Sequence, residues 1–176
     1  SIKTINGSGL FIIGGFDQVA SLISNSNLDS AVLIDKNTLA VEYARLRLAL
    51  TQICENNKEY LSRVVSRNID CSSNNIEELV LNLKEQLSQG QKINFDLADD
   101  TFEKLKKYEI HEAIINQTIY DSGFADRLLS DAFRQHNIHG GNYQATRRLL
   151  DFVKNNKDNW LSSSDKYNRI KEMYSD

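Results

Sequence analysis

Two short apolar runs stand near the start of the chain and flank a segment with helical periodicity. Residues 10–13 form the first run and residues 31–34 the second, while the apolar positions of residues 16–24 suit an amphipathic helix of about two turns. The continuous apolar run of residues 10–13 is typical of a strand that is buried on both faces. The pattern predicts a strand, a turn, a helix and a second strand, in that order.

The rest of the chain shows mainly helical periodicity. Apolar stripes predict helices over residues 38–53, 60–65, 76–87, 102–105, 122–133, 145–153 and 164–173. Asn37 or Thr38 is expected to cap the first of these helices, and Asp99 or Asp100 the helix over residues 102–105. Trp160 falls in a segment that we expect to be a polar loop.

The pattern leaves the extent of the sheet open. Two parallel strands are few for a stable open sheet. Either residues 93–97 and 110–119 add strands, or more sheet comes from residues outside this chain. The β-branched residues of 110–119 allow a strand, but the spacing of its apolar positions favours a helix.

Composition and charge narrow the function classes. The chain has 176 residues and a formal net charge of −3, with its Lys and Arg scattered, so nucleic-acid binding gains no support. Pairs such as Arg45/Arg47 and Arg147/Arg148 are interpreted as solvated helix faces. No apolar stretch suits a membrane span or a signal peptide, so we expect a cytoplasmic protein without a membrane partner. Two cysteines, Cys54 and Cys71, are expected to be free thiols.

The turn between the first strand and the helix is the strongest candidate site. Gly14 and Gly15 would let the backbone approach a ligand closely, and the helix that follows would direct free N–H groups at it. Asp17 and Gln18 would contact the polar end of that ligand. Asp35, at the tip of the second strand, would accept hydrogen bonds from ribose hydroxyls. The alternative is a purely structural turn, with Asp35 capping the next helix and Asp17 favouring the helix N-terminus electrostatically.

Other residue groups give weaker signals. His136 and His139 lack further metal ligands at a suitable spacing, and Cys71 lacks a neighbour that would activate its thiolate. Asp96, Asp99 and Asp100 suit either Mg²⁺ binding or helix capping, and capping is favoured. No phosphate-binding loop and no catalytic set is recognisable, and no metal site is predicted.

Residues 10–18 and 31–35, together with the helices over 38–53 and 60–67, resemble an atypical branch of the class I S-adenosylmethionine-dependent methyltransferases, which have a Rossmann-type fold. The segment Trp160-Leu161-Ser162 with Tyr167 is also similar to one that precedes a later strand in that branch. The resemblance implies an α/β fold with a Rossmann-like start (1–68), a large helical insertion (69–158) and a C-terminal helix (159–176). It implies S-adenosylmethionine as cofactor, with Gly14 and Gly15 near its amino-acid moiety and Asp35 near its ribose.

Two functions are therefore expected from the sequence. The first is a cofactor-binding, methyltransferase-like domain that positions S-adenosylmethionine for in-line methyl transfer to an unspecified acceptor. The second is a non-catalytic interaction module, regulatory or effector in role, that keeps the fold. Binding of a nicotinamide or another nucleotide is a weaker third possibility.

Overall fold

The computed structural model describes residues 6–129 and 149–174, and shows a mixed α/β protein that is mostly helical. Two strands form a small parallel sheet, and helices make up nearly all other regular structure in the described ranges. In chain order the elements are β1 (Asn6–Ile12), α1 (Phe16–Ser24), β2 (Asn27–Ile34), α2 (Thr38–Ile53), α3 (Asn57–Val65), α4 (Ile76–Ser88), α5 (Phe95–Leu105), a short 3₁₀ turn (Lys106–Tyr108), α6 (Glu112–Ile119), α7 (Phe124–Leu129), α8 (Leu149–Asn155) and α9 (Ser164–Tyr174).

The predicted order of strand, turn, helix and strand is confirmed, but both strands begin earlier than predicted. β1 pairs with β2 in parallel, with Leu10 opposite Val32, and a bulge between Gly7 and Ser8 shifts the register at the amino end. Polar residues at that end still join the ladder. Ser30 Oγ donates to Ser8 Oγ at 2.7 Å, so a hydroxyl pair replaces an apolar pair at this position of the sheet.

The prediction that both faces of the first strand are buried is wrong. Leu10 and Ile12 are 68% and 73% exposed, and Val32 and Ile34 on the neighbouring strand are 56% and 43% exposed. The alternate positions Phe11, Ala31 and Leu33 pack against the core. α1 and α9 contact β2, and the apolar side chains of the opposite face remain at the surface.

Asparagine side chains begin four of the helices. Asn37 accepts from Leu39 N, Asn56 from Glu59 N, Asn75 from Glu77 N and Glu78 N, and Asn94 from Leu97 N, so each satisfies N–H groups that the first helical turn leaves unpaired. Asn94 caps α5, and the predicted caps Asp99 and Asp100 lie inside that helix.

The two segments that were candidates for additional strands are not strands. α5 begins at Phe95 and replaces the extended segment considered for residues 93–97. The helical interpretation of residues 110–119 is confirmed over α6. Within the described ranges the sheet therefore consists of β1 and β2 alone.

One buried apolar cluster runs through the described part of the chain. It includes residues from every helix from α1 to α9 and from the β1–α1 turn. α9 returns to pack against α1, α2 and β2, which brings the end of the chain beside its beginning. Trp160 and Leu161, in the segment predicted as a polar loop, are fully buried, so this prediction is wrong for both side chains.

Several sequence predictions fall outside the described residues. His136, His139, Arg147 and Arg148 are among them, as are parts of the helices predicted over 122–133 and 145–153. Within the described ranges, no helix is both long and apolar enough to cross a membrane.

Candidate functional site

The carboxyl ends of the two strands lie side by side. Ile13 N donates to Ile34 O at 2.9 Å, which extends the parallel ladder one residue beyond β1. Gly14 N then donates to Ile12 O at 2.9 Å, and this bond turns the chain sharply towards α1. The turn and Asp35 consequently follow two paired strands at the same edge of the sheet.

The two glycines of this turn have different surroundings. A Cβ atom built on Gly14 would meet nothing within 4 Å, so open space adjoins the backbone there. A Cβ on Gly15 would lie 2.6 Å from Gln18 Oε1, which places the Gln18 side chain over the turn. Gly15 has φ of −161°, an extended conformation that any residue adopts. Neither glycine is therefore required by backbone strain.

The first turn of α1 begins at the same place. The helical ladder starts with Val19 N donating to Gly15 O at 3.1 Å, so the N–H groups of residues 16–18 precede the first intrahelical bond. No side chain caps this helix, in contrast to the four helices with asparagine caps. The helix N-terminus thus offers backbone donors and a partial positive charge beside the open space at Gly14.

Asp35 makes a local contact at the tip of β2. Its Oδ1 atom accepts from Asn37 N at 2.8 Å, and the residue is half-buried. This bond shapes the turn that precedes α2, as the structural alternative predicts. The open turn at Gly14 and Gly15, together with Gln18 and Asp35, is called the strand-end site below.

Asp17 belongs to a different environment. It is 8% exposed, and its Oδ1 atom accepts from Arg47 Nη2 at 2.8 Å and from Trp160 Nε1 at 3.0 Å. The carboxylate is thus engaged by α2 and by the segment before α9. Among the residues expected to contact a ligand, the structure keeps Gln18 and Asp35 near the strand ends and places the Asp17 carboxylate in the core.

Arg47 is the centre of the group that holds Asp17. It is 1% exposed, its Nη1 donates to Tyr43 Oη at 3.1 Å, and its Nε donates to Tyr60 Oη. The guanidinium carbon also lies 5.0 Å from the centre of the Phe16 ring, within the range of a cation–π contact. The buried arginine cluster is defined as Asp17, Tyr43, Arg47, Tyr60 and Trp160.

Aromatic packing connects this cluster to the end of the chain. Trp160 meets Phe16 and Tyr60 edge to face, at ring-centre distances of 5.7 and 5.1 Å, and stacks on Tyr167 of α9 at 6.0 Å. Its backbone N–H donates to Ser21 Oγ at 3.1 Å. The cluster therefore ties α1, α2, α3 and α9 together.

Charge in the cluster is balanced inside the protein. Burial alone would lower the pKa of Arg47, but the neighbouring carboxylate of Asp17 and the hydroxyls of Tyr43 and Tyr60 raise it well above its usual value. Burial also raises the pKa of Tyr60. Arg47 stays charged and Tyr60 stays neutral at physiological pH, so the cluster has the properties of a structural ion pair and not of an acid–base pair.

The buried arginine cluster is not predicted from the sequence, because the pair Arg45/Arg47 is interpreted there as a solvated helix face. Arg45 fits that assignment, since its side chain is 41% exposed and pairs with Glu42. Arg47 instead lies on the buried stripe of α2, four residues after Tyr43 and three before Leu50. An arginine among apolar residues at helical spacing was the available signal that it has a buried partner.

The remaining reactive groups make structural contacts. Burial raises the pKa of the Cys54 thiol to about 12, which disfavours its nucleophilic form. Of the acidic group on α5, Asp99 accepts from Tyr120 Oη at 2.5 Å and Asp100 pairs with Arg63 and Lys104. Among the described residues, no group of three or more His, Cys, Asp or Glu side chains is placed to hold a metal ion.

Comparisons with models of protein families, with curated proteins and with solved structures give no match to this chain. The function is therefore inferred from the geometry of the strand ends and from the resemblance carried by the residues around them.

Proposed function

We propose that this chain is a methyltransferase-like domain that binds S-adenosylmethionine at the strand-end site. One observation carries the proposal: the parallel unit of β1, α1 and β2 brings an open glycine turn and Asp35 to the same edge of the sheet. Open α/β sheets bind nucleoside-containing ligands outside the carboxyl ends of their strands. The resemblance of residues 10–18 and 31–35 selects S-adenosylmethionine among such ligands.

Each part of the site has a role in this proposal. The space at Gly14 admits the ligand against the backbone, and the N–H groups of the first turn of α1 bind its polar atoms. Asp35 accepts hydrogen bonds from the ribose hydroxyls, while its Oδ1 atom keeps the turn before α2 in place. Bound S-adenosylmethionine supplies an electrophilic methyl group, and the protein contributes orientation and exclusion of water.

A second function, a non-catalytic binding module, is favoured by a separate observation. Asp17 is engaged inside the buried arginine cluster, and Asp35 already makes a local hydrogen bond. The acidic residues nearest the turn therefore have structural partners. In this alternative the β–α–β unit is retained only as a scaffold for contacts elsewhere on the molecule.

Titration calorimetry with S-adenosylmethionine and with its demethylated product tests the proposal. Gly14→Val places a side chain in the open space without a clash, so it should preserve the fold and prevent binding. Asp35→Asn keeps an oxygen that accepts from Asn37 N but removes the charge. We expect it to weaken binding by about 1–3 kcal/mol, the range for loss of a charged hydrogen bond.

Asp29→Asn is the matched control, because Asp29 is exposed on the same strand at its opposite end. It should bind like the wild type. No heat from wild-type protein at millimolar ligand would refute cofactor binding and favour the non-catalytic module. Binding that both site variants retain would refute the location of the site. Competition with nicotinamide and adenine nucleotides in the same experiment tests the third possibility.

A further inference from the structure

A polar stripe runs along α1 and faces the end of the chain. Asp17, Ser21 and Asn25 follow one another at intervals of four residues, so their side chains lie along one side of the helix. All three are hydrogen-bonded to residues 158–160, which lie between α8 and α9. This short segment is called the chain-end brace.

The chain-end brace contacts α1 from its last turn to its first. At the last turn, Asn25 Nδ2 donates to Asp158 O at 2.7 Å. Trp160 then donates twice, from its backbone N to Ser21 Oγ at 3.1 Å and from Nε1 to Asp17 Oδ1 at 3.0 Å. Ser21 Oγ donates in turn to Asp17 O at 2.7 Å. The direction of the whole helix is therefore fixed by one segment of the chain end.

The first turn of α1 is held by buried side chains and not by a cap. No side chain caps this helix. Phe16 is 1% exposed and meets Trp160 edge to face, and the Asp17 carboxylate accepts from both Trp160 and Arg47. Phe16 and Asp17 also carry N–H groups that precede the first intrahelical bond. Contacts that fix their side chains on the core side therefore fix the direction of these N–H groups on the other side.

The same contacts direct the negative charge of Asp17 into the core. An acidic side chain in the first turn of a helix otherwise interacts favourably with the free N–H groups of that turn and with their partial positive charge. The Oδ1 atom of Asp17 instead accepts from Arg47 Nη2 and Trp160 Nε1. This arrangement leaves the helix start to interact with the polar atoms of a ligand.

We propose that Trp160 is a positioning residue of the strand-end site, and that the chain-end brace sets the affinity of this site for its ligand. The inference rests on the proposed function. Trp160 is fully buried, so it acts through Asp17 and Ser21 and not by contact with the ligand. It orients the first turn of α1 beside the open space at Gly14. Ligand binding and attachment of the chain end are therefore coupled, and each strengthens the other.

Trp160→Phe separates positioning from packing, because it keeps an aromatic ring in the core but removes the N–H group that donates to Asp17. We expect titration calorimetry to show binding of S-adenosylmethionine weakened about 3- to 30-fold, the range for residues that act on a site without contact with its ligand. Tyr167→Phe is the matched control, because it removes a buried hydroxyl that bonds backbone carbonyls at the end of α2, away from α1. It should bind as tightly as the wild type.

A second pair of variants leaves the packing of the core unchanged. Ser21→Ala removes the oxygen that accepts from Trp160 N, whereas Ser24→Ala removes a hydroxyl that donates within α1, to Ser21 O at 3.0 Å. Both serines are half-buried, and alanine is the better helix former, so both variants should fold. Ser21→Ala should weaken binding of S-adenosylmethionine, and Ser24→Ala should not.

Hydrogen exchange of the ligand-free protein reports on the helix start itself. The Val19 amide donates to Gly15 O in the first intrahelical bond of α1, and it should exchange faster in Trp160→Phe than in the wild type or Tyr167→Phe. Unchanged exchange in Trp160→Phe would overturn the positioning role. So would wild-type affinity in Trp160→Phe, or an equal loss in Tyr167→Phe, and either result would leave the proposed function standing. No binding by the wild type would overturn the proposed function, and with it the effect of the chain-end brace on affinity.

Discussion

At the scale of single residues, the pair of Asp17 and Arg47 dominates the local energetics. Both side chains are almost fully buried, and each is the other's charge partner. Removal of one partner from a buried ion pair leaves an uncompensated charge in a poorly solvated environment. We expect Asp17→Asn to lower the free energy of unfolding by about 3–5 kcal/mol, measured by urea denaturation followed by circular dichroism.

A double-mutant cycle separates this charge effect from a simple loss of packing. Arg47→Met should destabilise the protein as well, but Asp17→Asn combined with Arg47→Met should cost much less than the sum of the two, since no lone charge remains. Asp96→Asn, at an exposed acid in the first turn of α5, is the control and should change stability by less than about 0.5 kcal/mol. Additive single effects would contradict the ion-pair interpretation.

At the scale of secondary-structure elements, Arg63 connects α3 to α5. Its Nε donates to Glu59 Oε1 at 2.9 Å, and its Nη1 donates to Asp100 Oδ2 at 2.7 Å and to Thr101 Oγ1 at 2.9 Å. Burial alone would raise the pKa of Glu59. Hydrogen bonds from Glu55 N and Arg63 outweigh this effect and lower the pKa below its usual value of 4.5. Hydrogen bonds from Lys104 and Arg63 lower the pKa of Asp100 as well.

This network predicts a specific pH dependence of stability. A carboxyl whose pKa is lower in the folded state stabilises the protein above its unfolded pKa, and the effect is lost as the pH falls through the folded pKa. Stability should therefore decrease on acidification below about pH 4.5. We expect Arg63→Gln to reduce this slope without abolishing it, because Glu59 keeps its bond from Glu55 N. Urea unfolding at several pH values measures both slopes, and equal slopes would contradict the prediction.

The helix starts also show what local sequence can and cannot specify. Asn37 or Thr38 is predicted as a cap because the two residues directly precede a long apolar stripe, and the structure shows that Asn37 is the cap. The start of α5 was misplaced because Asn94 and Asp99 are both good capping residues, and the periodicity around Phe95 is too short to choose between them. Phe95 itself is 62% exposed, so this large apolar residue does not mark a buried position at the start of α5.

At the scale of the whole molecule, contacts between distant positions are what the sequence does not reveal. The strand order, the helical interpretation of residues 110–119 and the start of α9 follow from periodicity and are confirmed. Periodicity does not predict that one face of the sheet is exposed, because a strand carries the same apolar run whether helices cover one of its faces or both. Likewise, Trp160 is buried through contacts with Asp17 and Tyr60, which lie 143 and 100 positions earlier in the chain.

Because Trp160 lies where the beginning and end of the chain meet, it reports on the cooperativity of the whole protein. It is the single tryptophan of the chain and is fully buried against residues of α1, α3 and α9. Circular dichroism reports on all helices, including α4 to α6, which share the same apolar cluster. We expect the urea transitions from Trp160 fluorescence and from circular dichroism to coincide, as in two-state unfolding. An earlier fluorescence transition would instead show that the contact between chain ends unfolds separately, with the central helices persisting as an independent unit.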